Sequence, residues 1–211
     1  GDRVRSDCRV TLQVLEKGGI DLKLKSKVAS MFGKQIRQQV AEVLEALEIR
    51  HAVVEIEDSG ALPFVLGARL EAAVKKLKAT DRTWIPPLIS QNNYESHKEQ
   101  FRFSRLYLPG NTPSMMLNAG IHQPNGIILD LEDSVAPEKK PEARLLVRNA
   151  LCQVDFYGAE RMVRINQLPG GLDDLDYVVP FQVHMVLLPK CEHASQVVEV
   201  ANRIQHILKT F

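Results

Sequence analysis

The first third of the chain changes from a strand-like to a helical spacing of its apolar residues. Residues 9–15 and 20–24 are apolar at every second position, which is typical of half-buried strands. A Gly18-Gly19 pair lies between the two segments and provides a turn. The pattern therefore predicts that these two strands pair with each other as a hairpin.

From Ser26 onward, apolar residues recur every three or four positions, which predicts an amphipathic helix. Residues 51–57 return to the alternation of a strand, and Asp58 then begins a second helical stripe that runs to Leu77. The element order is β-β-α-β-α. We therefore expect an α+β domain over residues 1–78.

Residues 79–103 follow no period and contain a Pro86-Pro87 pair, so they are expected to form a linker. Several apolar and aromatic side chains interrupt this segment, Trp84 and Tyr94 among them. Two interpretations stay open. The segment packs as a strap between domains, or it is a recognition segment for a partner subunit.

Residues 104–211 repeat one pattern four times: a short apolar strand followed by a helical stretch. This order predicts a parallel sheet with right-handed crossovers, hence an α/β domain. The predicted strands are 104–108, 126–131, 160–166 and 184–188, and the helices are near 113–122, 138–152, 172–179 and 194–209.

Charged and amide residues follow the predicted strands of this second half. Asp130, Glu132 and Asp133 end the second strand, and Arg164 ends the third. The carboxyl ends of parallel strands share one edge, where ligands bind in α/β proteins. Three carboxylates in four residues need a nearby cation. We expect a site for a small anionic substrate, with or without a divalent metal; the alternative is a buried structural network of Arg and acidic groups.

Composition limits the classes of function. The chain has 27 Lys and Arg against 26 Asp and Glu, so the net charge of +1 argues against a nucleic-acid partner. No apolar run is long enough for a membrane span, and the charged first residues do not form a signal peptide. Three cysteines without a close pair favour a reduced, cytoplasmic protein. The Lys139-Lys140 pair is interpreted as a solvated helix face.

Four motifs in the second half resemble the citrate lyase beta subunit and related acyl-thioester lyases of the HpcH/HpaI aldolase/citrate lyase family. They lie at 105–111, 128–135, 163–166 and 188–190, in the family's order. The resemblance implies a (β/α)8 TIM barrel that cleaves a citryl thioester to oxaloacetate and an acetyl thioester by a retro-aldol step. A complete barrel needs about 200 residues, so we expect only its first four βα units here.

The same resemblance implies roles for residues of this chain. It implies Mg²⁺ in the complete barrel, and it places the principal metal ligands of the family beyond residue 211. The implied catalytic residues are Arg164, Glu132 and Asp133, and the implied substrate-binding residues are Arg105, Gly110, Asn166 and Lys190.

The first 78 residues resemble the acyl carrier (gamma) subunit of citrate lyase, through segments at 32–33, 55–62 and 68–72. The resemblance implies a phosphoribosyl-dephospho-coenzyme A prosthetic group on a serine. Arg5 occupies the family's serine position, and Ser6 follows it. Either the attachment has moved to Ser6, or the carrier domain is unmodified.

Three functional hypotheses follow from the two resemblances. The first is a citrate lyase-type enzyme component that assembles with citrate lyase-type subunits and forms a homo-oligomer. The second is a non-catalytic carrier or scaffold module that docks onto complete lyase subunits. The third is a lyase for free coenzyme A thioesters, with a carrier domain that no longer functions.

Overall fold

The computed structural model describes residues 5–211. The chain divides into two compact units between Pro86 and Pro87. In the described part of the chain, every helix is too short or too polar to cross a membrane.

The first unit combines a three-stranded sheet with two helices. Its sheet has the order β1-β3-β2, with β1 antiparallel and β2 parallel to the central strand β3. The elements are β1 (Cys8–Val14), β2 (Ile20–Ser26), α1 (Ala29–Ala46), β3 (Ala52–Asp58) and α2 (Pro63–Leu77).

The predicted hairpin between the first two strands is wrong, because β3 lies between them. Ala52, Val54 and Ile56 of β3 are almost completely buried, which suits a central strand better than the half-exposed β1 and β2. The Gly18-Gly19 turn still leads into β2, but it passes the start of β3, where the Gly19 carbonyl accepts the Ala52 N–H at 3.0 Å. Alternation identified the strands correctly but could not identify their neighbours.

One core holds the first unit together, and Trp84 packs against it from beyond α2. The Trp84 ring lies so close to Gly67 of α2 that a Cβ at that glycine would be 2.0 Å from the ring. The backbone N–H of Trp84 also donates to the buried Glu71 carboxylate at 3.3 Å. Residues 79–86 thus extend the first unit.

The second unit contains a parallel sheet with strands in the order β4-β5-β6-β7. This order confirms the predicted fold class, and it is the order of consecutive strands in a (β/α)8 barrel. The elements are β4 (Arg105–Pro109), α3 (Pro113–Met116), β5 (Gly126–Asp130), α4 (Lys140–Gln153), β6 (Glu160–Arg164), α5 (Gly171–Val178), β7 (Met185–Leu187) and α6 (Ala194–Thr210).

Strand β5 is buried over its whole length, which explains its unbroken apolar run. Residues 87–103 pack on this second unit. The Ile89 N–H donates to the Cys152 carbonyl at 3.0 Å, and the Tyr94 hydroxyl donates to the Ala159 carbonyl at 2.6 Å.

Candidate functional site

The loop after β5 is shaped by Asp130, the last residue of the strand. Its carboxylate accepts the backbone N–H groups of Glu132 at 2.9 Å and of Ser134 at 3.1 Å. An aspartate that caps the following residues in this way holds a tight turn. The turn buries Glu132 and leaves Asp133 exposed.

Arg164 lies beside Asp130 because β5 and β6 pair in parallel with these two residues in register. Its Nε and Nη2 donate to the two Asp130 oxygens at 2.7 and 2.8 Å, a bidentate pair. Its Nη1 lies 3.1 Å from Glu132 Oε2 and 3.6 Å from Asp133 Oδ2. The Tyr107 ring covers the guanidinium at 5.4 Å. The Nε and Nη2 donors are thus engaged by Asp130, and Nη1 faces the Glu132 and Asp133 carboxylates.

Burial alone would raise the pKa of Asp130. Hydrogen bonds from Arg164, from Ser134 and from two backbone N–H groups outweigh burial and hold its pKa at about 2. The same contact with Asp130 raises the pKa of Arg164. Both groups therefore remain ionised at neutral pH.

Glu132 is buried, yet it is surrounded by donors. Lys190 Nζ lies 2.8 Å from its Oε1, and Gln167 Nε2 donates to the same oxygen at 3.0 Å. Burial raises the pKa of Glu132, but Lys190 and Gln167 lower it by more, so the net shift is downward. Lys190 also donates to Asp133 at 3.2 Å. The predicted residues Glu132, Asp133, Arg164 and Lys190 therefore form one cluster.

Lys140 belongs to this site, and the interpretation of the Lys139-Lys140 pair as a solvated helix face is wrong for it. Its Nζ donates to the carbonyls of Leu131 at 3.1 Å and Glu132 at 2.9 Å, and to the Asn166 side chain. Lys140 begins α4, so its long side chain can extend back over the loop that follows β5. Its position shortly after the acidic motif was the only signal in the sequence.

Asn166 lies just beyond β6, and all of its amide atoms have protein partners. Its Nδ2 and its backbone N–H donate to Asp174 Oδ2 at 2.8 and 2.7 Å, while its Oδ1 accepts from Lys140. Asp174 also accepts from Arg144. Asn166 thus joins the strand end to α5 and α4.

The remaining predicted residues are not members of this cluster. Arg105 is the first residue of β4. It therefore lies at the end of the sheet where the strands begin, opposite the cluster. Gly110 lies at the correct edge, where its N–H donates to the Asp130 carbonyl at 2.8 Å and a Cβ would be 2.6 Å from that oxygen. Its absent side chain permits close strand packing. Ser6 lies in the first unit.

A metal centre is not formed by the residues present. Within residues 5–211, no three His, Cys, Asp or Glu side chains are arranged to hold a metal ion. The carboxylates of the cluster instead face Arg164 and Lys190. Magnesium therefore does not fit these residues by themselves.

A model of the HpcH/HpaI aldolase/citrate lyase family matches residues 104–211, just over half of the chain. The chain belongs to this family. Its parallel sheet and the cluster at the carboxyl edge are thus parts of an HpcH/HpaI-type domain. A second model, described as malonate decarboxylase delta subunit, matches residues 3–77.

Curated relatives confirm both resemblances seen in the sequence. Citrate lyase subunit beta of Haemophilus influenzae is 40% identical over 112 residues, which cover 52% of this chain and 38% of that protein. The citrate lyase acyl carrier protein of Vibrio cholerae is 46% identical over 71 residues, which cover 34% of this chain and 72% of that protein. The chain therefore spans less than two fifths of the length of this beta subunit.

Solved structures of the same family also match. A citrate lyase beta subunit from M. tuberculosis, complexed with oxaloacetate and magnesium, is 33% identical with a TM-score of 0.40. The match covers 47% of this chain and 45% of that structure.

Proposed function

We propose that the second unit serves a lyase that cleaves a citryl thioester into oxaloacetate and an acetyl thioester. The observation that carries this proposal is the ordered cluster of Arg164, Lys190 and three carboxylates at the carboxyl edge of a family-matched sheet. Support also comes from the two similarities in one chain, since both relatives are citrate lyase components.

The reaction is a retro-aldol cleavage: a base removes the hydroxyl proton, the carbon–carbon bond breaks and an enolate of the acetyl thioester forms. The oxaloacetate end is anionic, so it requires cationic groups nearby. Arg164 Nη1 and Lys190 Nζ are the groups that face this edge. We assign them to the substrate carboxylates.

Glu132 and Asp133 have a different part in this proposal. A carboxylate with a lowered pKa is a weak base, and the pKa of Glu132 is lowered by its donors. We therefore assign Glu132 and Asp133 to positioning Arg164 and Lys190.

We further propose that the first unit acts as an acyl carrier, with Ser6 as the attachment point for a phosphoribosyl-dephospho-coenzyme A arm. Ser6 is partly exposed and has a φ of 55°, and its N–H donates to the Ser59 carbonyl at 3.2 Å. Arg69 pairs with the adjacent Asp7, at 2.9 Å, and fixes this backbone. Peptide mass spectrometry of the protein from its native host tests the proposal: an unmodified Ser6 peptide at full abundance would contradict it.

The lyase proposal is tested by Arg164→Lys in the protein assembled with its native partner subunits. Lysine keeps the charge but loses the planar fork held by Asp130. We expect turnover, measured as oxaloacetate release, to fall by about two orders of magnitude. Arg203→Lys is the control, because Arg203 pairs with Asp176 on the helical surface. Equal turnover in the two variants would remove Arg164 from the site.

A second candidate function is a non-catalytic carrier or scaffold that docks onto complete lyase subunits. The observation that favours it is the full engagement of Asp130 and Asn166 by protein partners, as in a structural network. Under this hypothesis, the chain co-purifies with citrate lyase-type subunits while Arg164→Lys leaves turnover unchanged. Size-exclusion chromatography of the same sample also tests the proposed homo-oligomer.

A further inference from the structure

A cavity of about 910 Å³ lies at the opposite edge of the parallel sheet, where β6 and β7 begin. It is therefore separate from the carboxyl-edge cluster described above. Residues 92–96 of the irregular segment form one wall. The side chains used in the argument are Tyr94, Arg102, Glu160, Arg161, Gln182 and His184.

Arg161 is only 2% exposed, yet within the described chain it has no carboxylate partner. Its Nε donates to the Gln182 carbonyl at 2.8 Å, and its guanidinium lies 4.4 Å from the centre of the Tyr94 ring. Its Nη1 is buried without a hydrogen-bond acceptor. The Tyr94 hydroxyl donates to the Ala159 carbonyl, and its oxygen also interacts with the guanidinium but supplies no negative charge. A buried charge without an acceptor is costly.

His184 does not supply the missing acceptor. Its Nδ1 accepts the Arg161 backbone N–H at 3.1 Å, so its proton resides on Nε2, which donates to the Tyr94 carbonyl at 3.0 Å. We assign this tautomer from the hydrogen bonds. Arg161 Nη2 lies 2.8 Å from the same Nε2 and thus faces another N–H. Nη1 therefore lacks an acceptor, and the neighbour of Nη2 is a ring nitrogen that already carries a proton.

The neighbouring polar groups do not supply a partner for Arg161 Nη1. Glu160 is the closest carboxylate in sequence, but Arg102 and Ser96 occupy it. Gln182 Oε1 is buried and has no donor within the described residues. The residues that line the cavity therefore include a buried donor without an acceptor, Arg161 Nη1, and a buried acceptor without a donor, Gln182 Oε1.

We propose that this cavity binds a small oxyanion that also carries a hydroxyl group, such as a hydroxycarboxylate or monohydrogen phosphate. The anionic oxygens accept from Arg161 Nη1 and Nη2, and the hydroxyl donates to Gln182 Oε1. Because Nη1 is shielded from solvent, entry requires residues 93–98 to move. The inference is independent of the lyase reaction.

The test is titration of the full chain with inorganic phosphate, malate and succinate, followed by NMR of the arginine side chains and backbone amides. We expect saturable shifts of Arg161 and residues 93–98 with phosphate and malate, at a Kd of about 1 mM or tighter. Succinate has the carboxylates but no hydroxyl, so it should bind about tenfold more weakly than malate. If only phosphate binds, the hydroxycarboxylate is excluded as the source of the oxyanion.

Two variants separate the contributions of Arg161 and Gln182 to anion binding. Arg161→Met should weaken malate binding by about tenfold or more, whereas Arg50→Met removes an exposed arginine of the first unit and should not. Gln182→Met should abolish the preference for malate over succinate, and Gln205→Met on the exposed face of α6 is its control. If Arg161→Met fails to fold, the wild-type titration still decides. Absence of saturable shifts with all three anions would overturn the proposal.

Discussion

Asp130 shows how much of the candidate site depends on a single side chain. It ends β5, holds the next turn through two backbone N–H groups and occupies the fork of Arg164. Its folded-state pKa of about 2 lies well below the value of roughly 3.9 for an exposed aspartate. This difference means that ionised Asp130 stabilises the folded state.

The contribution of Asp130 should vanish in acid. Because its pKa is lowered on folding, the stabilisation is complete above about pH 4 and disappears as the pH falls toward 2. The shift corresponds to about 2–3 kcal/mol. We predict that Asp130→Asn lowers the free energy of unfolding by at least about this amount at pH 7, and by about 1 kcal/mol less at about pH 3, which lies midway between the two pKa values.

Urea denaturation at the two pH values measures this effect. Asp173→Asn is the control, since Asp173 is exposed and its contact with Arg144 is long, at 4.0 Å. Its effect should be small at both pH values. A loss of stability in Asp130→Asn that is equal at pH 7 and pH 3 would contradict the prediction.

At the level of elements, the junction between β4 and β5 depends on Gly110. A Cβ there would be 2.6 Å from the Asp130 carbonyl oxygen and 3.0 Å from Val147. Since the closer atom belongs to the backbone, Gly110→Ala must push the strand ends apart. We predict a loss of about 1–3 kcal/mol in the free energy of unfolding.

Gly170→Ala is the matched control for this prediction. Gly170 is the N-cap residue just before α5, with a φ of −61°, and a Cβ there would have its nearest neighbour at 3.7 Å. Alanine fits that position without strain. Denaturation of the two variants in urea should therefore separate them clearly, and equal stabilities would show that the β4–β5 junction can relax.

Helix α2 provides a second test, because Gly67 accommodates the only tryptophan of the chain. Alanine at position 67 would collide with the Trp84 ring, so we predict that Gly67→Ala displaces the ring and shifts its fluorescence to longer wavelength. Gly33→Ala in α1 places its Cβ 3.8 Å from Ala29, an ordinary contact. That variant should keep the emission and gain about 0.5–1 kcal/mol. An unchanged spectrum in Gly67→Ala would contradict this packing.

At the scale of the whole molecule, each unit has its own sheet, and the first has a continuous core. Residues 79–86 complete this core through Trp84, and Arg82 forms an exposed ion pair with Glu48 at 2.7 Å. The fragment 1–86 is therefore expected to fold with the tryptophan emission of the full chain.

A shorter fragment that ends at residue 78 tests where the first domain stops. It lacks Trp84, whose partial burial stabilises the unit by roughly 1–3 kcal/mol. We predict that the free energy of unfolding of fragment 1–78 is lower than that of fragment 1–86 by this amount. Equal urea midpoints for the two fragments would place the boundary at 78, as the periodicity alone predicted.

The sequence by itself determined the local helices and strands, and it determined which residues lie together at the carboxyl ends of the parallel strands. Alternation and helical spacing depend only on residues close in the chain, so strands such as β5 and helices such as α6 could be predicted to within a few residues. The convergence of Asp130 and Arg164 was also predictable. Parallel strands present their carboxyl ends on one side, so consecutive strand ends must lie together.

Only the tertiary structure decided which distant groups meet. It placed β3 between β1 and β2, brought Lys140 to the Asn166 side chain and left Arg161 without a carboxylate partner among residues 5–211. It also seated Trp84 on Gly67. These outcomes depend on which buried surfaces and hydrogen-bonding groups compete across the whole fold, and a local period contains no information about that competition.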